Sequence, residues 1–179
     1  MYRQLTAALR RVLPESALFK HGFNLSPMYR RSTGRVTRVS DDLHEVEVAI
    51  PLSWRNANYV GTMFGGSLLS ATDPILMIQL LHILGDGYVV WDKAVQMRFR
   101  RPARSRVTAR FVFTSEEIEA IRSAADDHGE TDWDKPVELV DEAGQVVAHG
   151  TKTLYVATKA FRRAKDAQRS AVQKRASAG

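Results

Sequence analysis

The longest apolar run of the chain, from Leu68 to Leu84, places hydrophobic side chains on almost every side of a predicted helix. A helix of this kind has no polar face, so it is expected to be buried all round. The run contains one carboxylate, Asp73, which is followed by Pro74. Because burial of an unpaired carboxylate is costly, we expect Asp73 to have a charged partner or a chemical task.

Alternating polar and apolar residues on both sides of this helix predict β-strands. We predict a hairpin over 35–50, a long strand from Tyr88 to Arg100, a strand near 107–113 and a second hairpin over 135–157. On the long strand, Lys93 interrupts an apolar face formed by Val89, Trp91, Val95, Met97 and Phe99. Gly85 and Gly87 supply a stop signal between the helix and this strand.

The remaining helices are predicted from apolar spacing and capping residues. Apolar residues at helical spacing predict an amphipathic helix over 2–13, and a short helical turn follows Pro14. The polar residues between 22 and 27 predict a loop. Thr114 and Glu117 have the spacing of a capping box, which predicts a helix to about Ala125 and then a loop over 126–132.

Strands before and after one long buried helix predict an α+β fold, in which an antiparallel sheet of five to six strands wraps around the central helix. We predict a single domain over 1–158, which begins with a helical segment over 1–32. A basic tail over 159–179 is predicted to be helical or partly disordered. Because one sheet covers a helix on one side only, the apolar remainder favours a homo-oligomer, either a dimer or a tetramer.

Charge and composition narrow the functional classes. The net charge of +6 comes from the tail, which contains seven Lys and Arg residues and one acid, so the formal charges of residues 1–158 sum to zero. We interpret the tail as a solvated end, and expect no nucleic-acid partner for the domain. There is no cysteine and no secretory signal, and the apolar run is short and interrupted by polar residues. These features predict a cytoplasmic protein without a transmembrane segment.

Metal and cofactor signatures are missing from the sequence. The five histidines are scattered without the spacing of a metal site, and no cysteine could supply a thiolate ligand. Neither a Gly-x-Ser-x-Gly elbow nor a phosphate-binding glycine loop occurs. We therefore expect no metal and no bound cofactor.

The turn that precedes the central helix carries a recognisable pattern. It resembles the hotdog-fold thioesterases of the PaaI-like branch, which read Asn-x-x-Gly-x-x-His-Gly-Gly and then, further into the helix, have a catalytic Asp or Glu. Matching positions are held by Asn58, Gly61, Phe64, Gly65, Gly66 and Asp73. The chain also resembles a branch related to the C-terminal domain of YiiD, through the segments Thr72-Asp-Pro74 and Trp91-Asp-Lys93.

This resemblance implies a hotdog fold and hydrolysis of an acyl-CoA or another acyl thioester, with coenzyme A present only as part of the substrate. Two positions depart from the family pattern. Phe64 replaces the family histidine, and Asp92 and Lys93 stand near a position that often holds Ser or Thr. We assign substrate contacts to Phe64, Gly66, Trp91, Asp92 and Lys93.

The catalytic candidates are Asp73, Gly65 and Asn58. The Gly65 amide, at the start of the helix, could hold the thioester carbonyl, and Asp73 could activate water or attack as a nucleophile. Asn58 would orient Asp73 or the water. Since eight residues of helix span roughly 12 Å, Gly65 and Asp73 of one chain cannot act on the same carbonyl. A site that uses both residues must therefore be shared between two chains, as the family resemblance also implies.

Each candidate also has a structural alternative. Asp73 could be a helix N-cap before Pro74, Asn58 could form a loop, and Lys93 could pair with Asp73 or a neighbouring acid. Arginines between 98 and 106 could bind CoA phosphates or form a solvated strand end. Two further functions stay open: a non-catalytic acyl-CoA or fatty-acyl binding protein, and an interaction protein that uses the basic tail.

Overall fold

The computed structural model describes residues 13–176 of the chain. The helices are α1 (Glu15–Leu25), α2 (Pro27–Arg31), α3 (Gly65–Leu84), α4 (Ser115–His128) and α5 (Lys159–Ala176). The strands are β1 (Arg35–Val39), β2 (Glu45–Ile50), β3 (Tyr88–Phe99), β4 (Val107–Val112), β5 (Glu130–Asp141) and β6 (Val146–Thr158). The amphipathic helix predicted over 2–13 lies outside the described residues except for its last position.

All six strands form one antiparallel sheet in the order β1-β2-β4-β5-β6-β3. Helix α3 packs on this sheet and contacts β2, β3 and β4. The predicted α+β fold, with its sheet around one long helix, is therefore confirmed. Strands β1 and β3 lie at the two edges of the sheet.

Helix α3 is continuous from Gly65 to Leu84 and contains Pro74 in its interior. Gly85 ends the helix with a φ of 79°, a conformation that favours glycine. Because the helix begins nine positions before Pro74, the alternative in which Asp73 is an N-cap is wrong.

The expectation that α3 is buried all round is only partly correct. Leu68, Ile75, Leu76 and Leu80 are buried in the core, which identifies α3 as a core helix although its length and composition would also allow it to cross a membrane. A stripe at helical spacing nevertheless remains accessible. It is formed by Ser70, Asp73, Met77 and Leu81.

The loop predicted over 22–27 is instead occupied by the end of α1 and the start of α2. These two helices cover a second side of α3. The Tyr29 hydroxyl donates to the carbonyl oxygen of Ala71 at 2.9 Å, and the ring of Phe23 packs edge-on against Tyr29. Asn24 joins α1 to β1 through two hydrogen bonds with the backbone of Val36. Tertiary packing therefore outweighs the local loop signal of the polar residues.

Strand β3 contains a β-bulge that the alternation pattern missed. Asp92 pairs with Leu154, whereas Ala94 pairs with Thr153, so Lys93 is the extra residue. A bulge exchanges the two faces of the strand beyond it. As a result Trp91 does not share a face with Met97 and Phe99, and the single apolar face predicted for this strand is wrong.

Helix α4 begins with the predicted capping box, in which Thr114 and Glu117 bond to each other's backbone amides. The helix continues to His128 and Gly129 ends it, so the loop predicted over 126–132 is wrong. Strand β5 starts immediately afterwards at Glu130. At the other end of the domain, β6 leads directly into α5, whose Phe161 ring packs against Gly129.

Candidate functional site

Lys152 is a buried lysine that bridges two carboxylates. It lies on β6 with only 2% of its side chain exposed. Its Nζ lies 2.9 Å from Oδ1 of Asp73 on α3 and 3.0 Å from Oδ1 of Asp92 on β3. The same ammonium also donates to the backbone carbonyl oxygen of Asp73. One cation thus joins the core helix to the edge strand.

The two carboxylates differ in their environment. Asp73 is 52% exposed, whereas Asp92 is 27% exposed. Burial raises the pKa of the Asp92 carboxyl; Lys152 acts against this rise, and the charge of Asp73 adds to it. One ammonium therefore lies between two carboxylates, of which Asp73 is the more accessible.

A second buried lysine lies beside the first. Lys135 on β5 is the cross-strand partner of Lys152. Its Nζ lies 2.7 Å from Oε1 of Glu117 at the start of α4. Adjacent like charges are unfavourable unless each has a counter-ion. The sheet therefore directs one lysine to α3 and the other to α4.

Sequence analysis missed Lys152, although a signal was present. Lys152 is in phase with Leu154 and Val156, which are buried residues of β6. A lysine at an inward position of an apolar strand face requires a carboxylate partner. Asp73 was expected to have a charged partner or a chemical task, and Lys152 is such a partner. Lys93, which was expected to pair with Asp73 or a neighbouring acid, contacts Asp132, so the second of these alternatives is the one observed.

At the start of α3 the backbone amides of Gly65 and Gly66 donate no hydrogen bond within residues 13–176, and two aromatic rings lie beside them. The amides of the first turn of a helix have no intrahelical partner. A Cβ atom on Gly65 would meet the Phe99 ring at 2.9 Å, and one on Gly66 would meet the Phe64 ring at 2.2 Å. Glycine is therefore required if both rings are to rest against the helix. A cleft of about 480 Å³ reaches Gly65 and is also lined by Phe99, Arg100 and Arg101.

Asn58 holds the turn that precedes α3. Its Oδ1 accepts hydrogen bonds from the backbone amides of Val60 and Thr62, and its Nδ2 donates to the hydroxyl of Thr62 at 2.8 Å. Gly61 adopts a φ of 74° within this turn. These contacts match the loop-forming alternative for Asn58. Within residues 13–176, no hydrogen bond joins Asn58 to Asp73.

The remaining candidates divide between the two faces of β3. Asp92 joins Asp73 through Lys152, on the helix side of the sheet. Trp91 precedes it and faces the opposite side, where it lines a cleft with Tyr155 and α5. Trp91 and Met97 therefore lie on opposite faces of the sheet, because the bulge separates them.

The structure thus brings together Asp73 and Asp92, but not Asp73 and Gly65. The latter two lie eight residues apart on one continuous helix, roughly 12 Å along its axis. Among the described residues, no group of three or more His, Asp or Glu side chains could hold a metal ion. The chemistry available at this cluster is that of a carboxylate beside a buried ammonium.

A family model described as "Domain of unknown function (DUF4442)" matches residues 15–156. The chain belongs to the DUF4442 family. The match covers the sheet up to the end of β6 and helices α1 to α4, while α5 lies beyond it. Among proteins with curated functions, none matches the sequence.

Solved structures similar to this DUF4442 chain have the hotdog fold, as the sequence resemblance predicted. A probable thioesterase from Pseudomonas aeruginosa, PA5026, has a TM-score of 0.71 at 23% identity, over 79% of this chain and 95% of that one. The protein OLEI01261 from Chlorobaculum tepidum has a TM-score of 0.65 at 14% identity, over 78% and 92%. The thioesterase HI1161 from Haemophilus influenzae has a TM-score of 0.51 at 18% identity, over 84% and 88%.

Proposed function

We propose that this protein hydrolyses an acyl-CoA, or another acyl thioester, and that Asp73 is the reactive carboxylate. The observation that carries the proposal is the arrangement of Asp73 on a buried Lys152. Lys152 donates a hydrogen bond to Oδ1 of Asp73, and within residues 13–176 no hydrogen bond is made to Oδ2 of Asp73. The second oxygen is therefore available on the accessible stripe of α3. The names of the structural neighbours agree with thioester hydrolysis.

Hydrolysis requires that one proton moves and one carbon–sulfur bond breaks. Oδ2 of Asp73 accepts a proton from water as the water oxygen attacks the thioester carbonyl carbon. The carbon–sulfur bond then breaks, and the thiolate takes that proton to leave as a thiol. Alternatively, Oδ2 attacks the carbonyl carbon, the carbon–sulfur bond breaks, and the thiolate leaves an acyl-enzyme anhydride. Water then hydrolyses the anhydride, which restores the Asp73 carboxylate, releases the acyl group as the acid and gives one proton to the thiolate. In both routes Lys152 holds Oδ1 of Asp73 and so fixes the orientation of the carboxylate.

The carbonyl oxygen needs a donor where negative charge develops. The Gly65 amide at the start of α3 is suited to this task, because it is unpaired and lies at the positive end of the helix dipole. Since Gly65 and Asp73 of one chain are too far apart, we propose that Gly65 of one protomer acts with Asp73 of its partner.

The exposed edge of the sheet offers a route to such a pairing. β3 is a twelve-residue edge strand that carries Asp92, and it pairs only with β6 in the described sheet. Long exposed edge strands readily pair with a second chain. Association of two β3 edges would place the Lys152 cluster of each protomer near the other chain. We therefore propose a homodimer or a homotetramer, located in the cytoplasm.

Thiol release across a panel of acyl-CoA thioesters tests the activity. We expect the wild-type protein to release free thiol and the Asp73→Ala variant to lose this activity by at least about a hundredfold, as removal of a general base does. Asp132→Ala provides a matched control, since Asp132 is an exposed acid that contacts Lys93. Equal turnover by wild type and Asp73→Ala would exclude Asp73 as the reactive group.

Complementation tests whether the site is shared. Asp73→Ala and Gly65→Pro chains should each be inactive, and a mixture of them should recover part of the activity. The recovery is expected because a mixed dimer retains one intact pair of Gly65 and Asp73. If chain exchange is demonstrated and no activity returns, the shared site is wrong.

A second candidate function is non-catalytic binding of an acyl-CoA or a fatty acyl group. The observation that favours it is Phe64, which stands in the place of the family histidine and rests against Gly66. Its ring, 58% exposed, offers an apolar contact where the family pattern has a polar one. Calorimetric titration with an acyl-CoA separates the two functions, because a binding protein would bind the ligand without releasing thiol.

A further inference from the structure

A cleft on the outer face of the sheet combines aromatic and basic residues. It lies between the edge of the sheet and α5, and has a volume of about 400 Å³, within the range of small-molecule sites. The residues that line it are Trp91, Asp92, Lys93, Tyr155, Arg162, Lys165 and Arg169. Four of these seven residues are cations and two are aromatic.

Three of the cations belong to one face of α5. Arg162, Lys165 and Arg169 recur three and then four positions apart, a spacing that aligns side chains on a helix. This face is fixed to the domain by Phe161, which packs against Gly129, and by an ion pair between Lys165 and Glu130. The first three turns of α5 are thus part of the cleft wall.

Neighbouring carboxylates orient the cations without entering the cleft. Lys93 contacts Asp132, Lys165 contacts Glu130, and Arg162 lies 3.1 Å from Asp166. None of these three acids lines the cleft.

Within the described residues, Arg169 makes no ion pair, and the one acid in the wall, Asp92, contacts Lys152. The cleft surface is therefore predominantly cationic.

The chemistry of the wall matches a ligand that carries both phosphate and an aromatic ring. Guanidinium groups bind phosphate oxygens through paired hydrogen bonds. Trp91 is 57% exposed, and an exposed indole can stack on a base.

We propose that this cleft binds a nucleotide, with its phosphates on Arg162 and Arg169 and its base on Trp91. The residues of the cleft that belong to α5 lie beyond the part of the chain that matches the family model.

The cleft is also placed to serve the reaction under the proposed function. Trp91 and Asp92 are consecutive residues of the edge strand and face opposite sides of the sheet. A nucleotide held by α5 would thus be separated from the Asp73 cluster by a single strand at the sheet edge. The nucleotide end of coenzyme A could bind here while its pantetheine arm passes beyond one end of β3, which pairing of two β3 edges leaves open. The identification of coenzyme A as the ligand rests on the proposed function, whereas the binding of a free nucleotide does not.

Calorimetric titration of the full chain with CoA, ADP and inorganic phosphate tests the proposal. We expect CoA and ADP to bind more tightly than phosphate. The double variant Arg162→Gln/Arg169→Gln should weaken binding of both nucleotides by at least about tenfold. Trp91→Leu should weaken the nucleotides but not phosphate. Arg163→Gln is the control, because Arg163 lies on the same helix outside the cleft. The circular dichroism spectrum of each variant is compared with that of the wild type to confirm that the variant is folded.

Three outcomes would overturn the proposal. One is the absence of nucleotide binding to the wild type. Another is equal affinity of the double variant and the wild type. The third is a loss of CoA binding in Arg101→Gln but not in the double variant, which would place the nucleotide in the cleft beside Gly65 instead.

Kinetics distinguish the source of the nucleotide and separate this proposal from the proposed activity. If CoA is the source, acyl-CoA should have a lower KM than the corresponding acyl-pantetheine, and the double variant should raise only the KM for acyl-CoA. Equal KM values together with ADP binding would identify a free nucleotide. Nucleotide binding without thiol release would exclude hydrolysis but keep the cleft, and thiol release without any nucleotide binding would do the reverse.

Discussion

Replacement of Lys152 by methionine tests the electrostatic arrangement at the centre of the site. Methionine approximates the length of lysine and suits the buried position, so the change removes the charge with little loss of packing. It leaves Asp73 and Asp92 facing each other without a cation. Burial already raises the pKa of Asp92, and removal of Lys152 should raise it further, because Lys152 is the group that opposes the rise.

The size of the effect follows from the distances. The substitution removes the attraction between Nζ of Lys152 and Oδ1 of Asp92, which lie 3.0 Å apart. At an effective dielectric constant of about 20, two opposite unit charges at that separation attract each other by about 5 kcal/mol. Because the Asp92 side chain is 27% exposed, solvent screening reduces this attraction to roughly 2 kcal/mol. Its loss should raise the pKa of Asp92 beyond the rise that burial already causes.

Two assays follow the change. Carbon-detected NMR of labelled aspartate reports the titration of Asp92 directly. The acid limb of the pH profile of kcat/KM should also move to higher pH, since two coupled carboxylates titrate as a pair. Lys135→Met is the matched control, because Lys135 is a buried lysine on the adjacent strand that contacts Glu117 instead. An Asp92 titration that is unchanged in Lys152→Met, or moved as far in Lys135→Met, would refute this reasoning.

Stability should respond in a defined direction. An aspartate whose pKa is raised by folding holds its proton more tightly in the folded chain than in the unfolded chain. The free energy of unfolding therefore falls as pH rises from about 4 through the folded pKa of Asp92. In Lys152→Met this fall should extend to higher pH, which urea unfolding at a series of pH values would measure. An identical dependence of the free energy of unfolding on pH in the wild type and in Lys152→Met would contradict the role assigned to Lys152 in opposing the pKa rise of Asp92.

The remaining predictions concern the framework of the site. Lys135 lowers the pKa of Glu117 against the opposing effect of burial; the resulting stability is present above pH about 4.5 and is lost as pH falls through the folded pKa. Glu117→Gln should therefore lower the free energy of unfolding at pH 7 by about 1–3 kcal/mol and flatten its dependence on pH below 5. Gly150→Ala should lower the free energy of unfolding by about 1–3 kcal/mol, since the added Cβ would lie 1.9 Å from the Gln96 carbonyl oxygen. A Cβ added at Gly87 would meet nothing within 4 Å, so Gly87→Ala should be nearly neutral.

The elements set by local signals were predicted correctly. The apolar run of α3, the glycine at its end and the capping box of α4 each depend on residues close together in sequence. A helical segment was predicted over 1–32, but α1 was placed only as a short turn after Pro14, and a loop was predicted where α1 ends and α2 begins. The polar residues of these helices face solvent or β1, and their stability comes from packing against α3. Their presence depends on contacts such as Tyr29 to Ala71, which join positions far apart in the chain.

The candidate site was predicted only in part for the same reason. The carboxylate of Asp73 could be found, because a charge in an apolar run is visible in sequence. The pattern of the sequence did not identify Lys152, rather than Lys93, as the partner of Asp73. The bulge in β3 displaces Lys93 to a contact with Asp132, and the pairing of β3 with β6 brings Lys152 under α3. A bulge moves the residues beyond it to the opposite face of the strand, and the pattern of polar and apolar residues does not show this change. Trp91 was misplaced by this shift.

The most direct test of the account is thiol release from an acyl-CoA by the Asp73→Asn variant. Asparagine keeps the size of the side chain and an oxygen that can accept from Lys152, but it removes the charge and the basic oxygen. We predict that the variant folds, binds the substrate and loses at least about a hundredfold in kcat. Wild-type turnover by a folded Asp73→Asn protein would contradict the claim that this carboxylate carries the reaction.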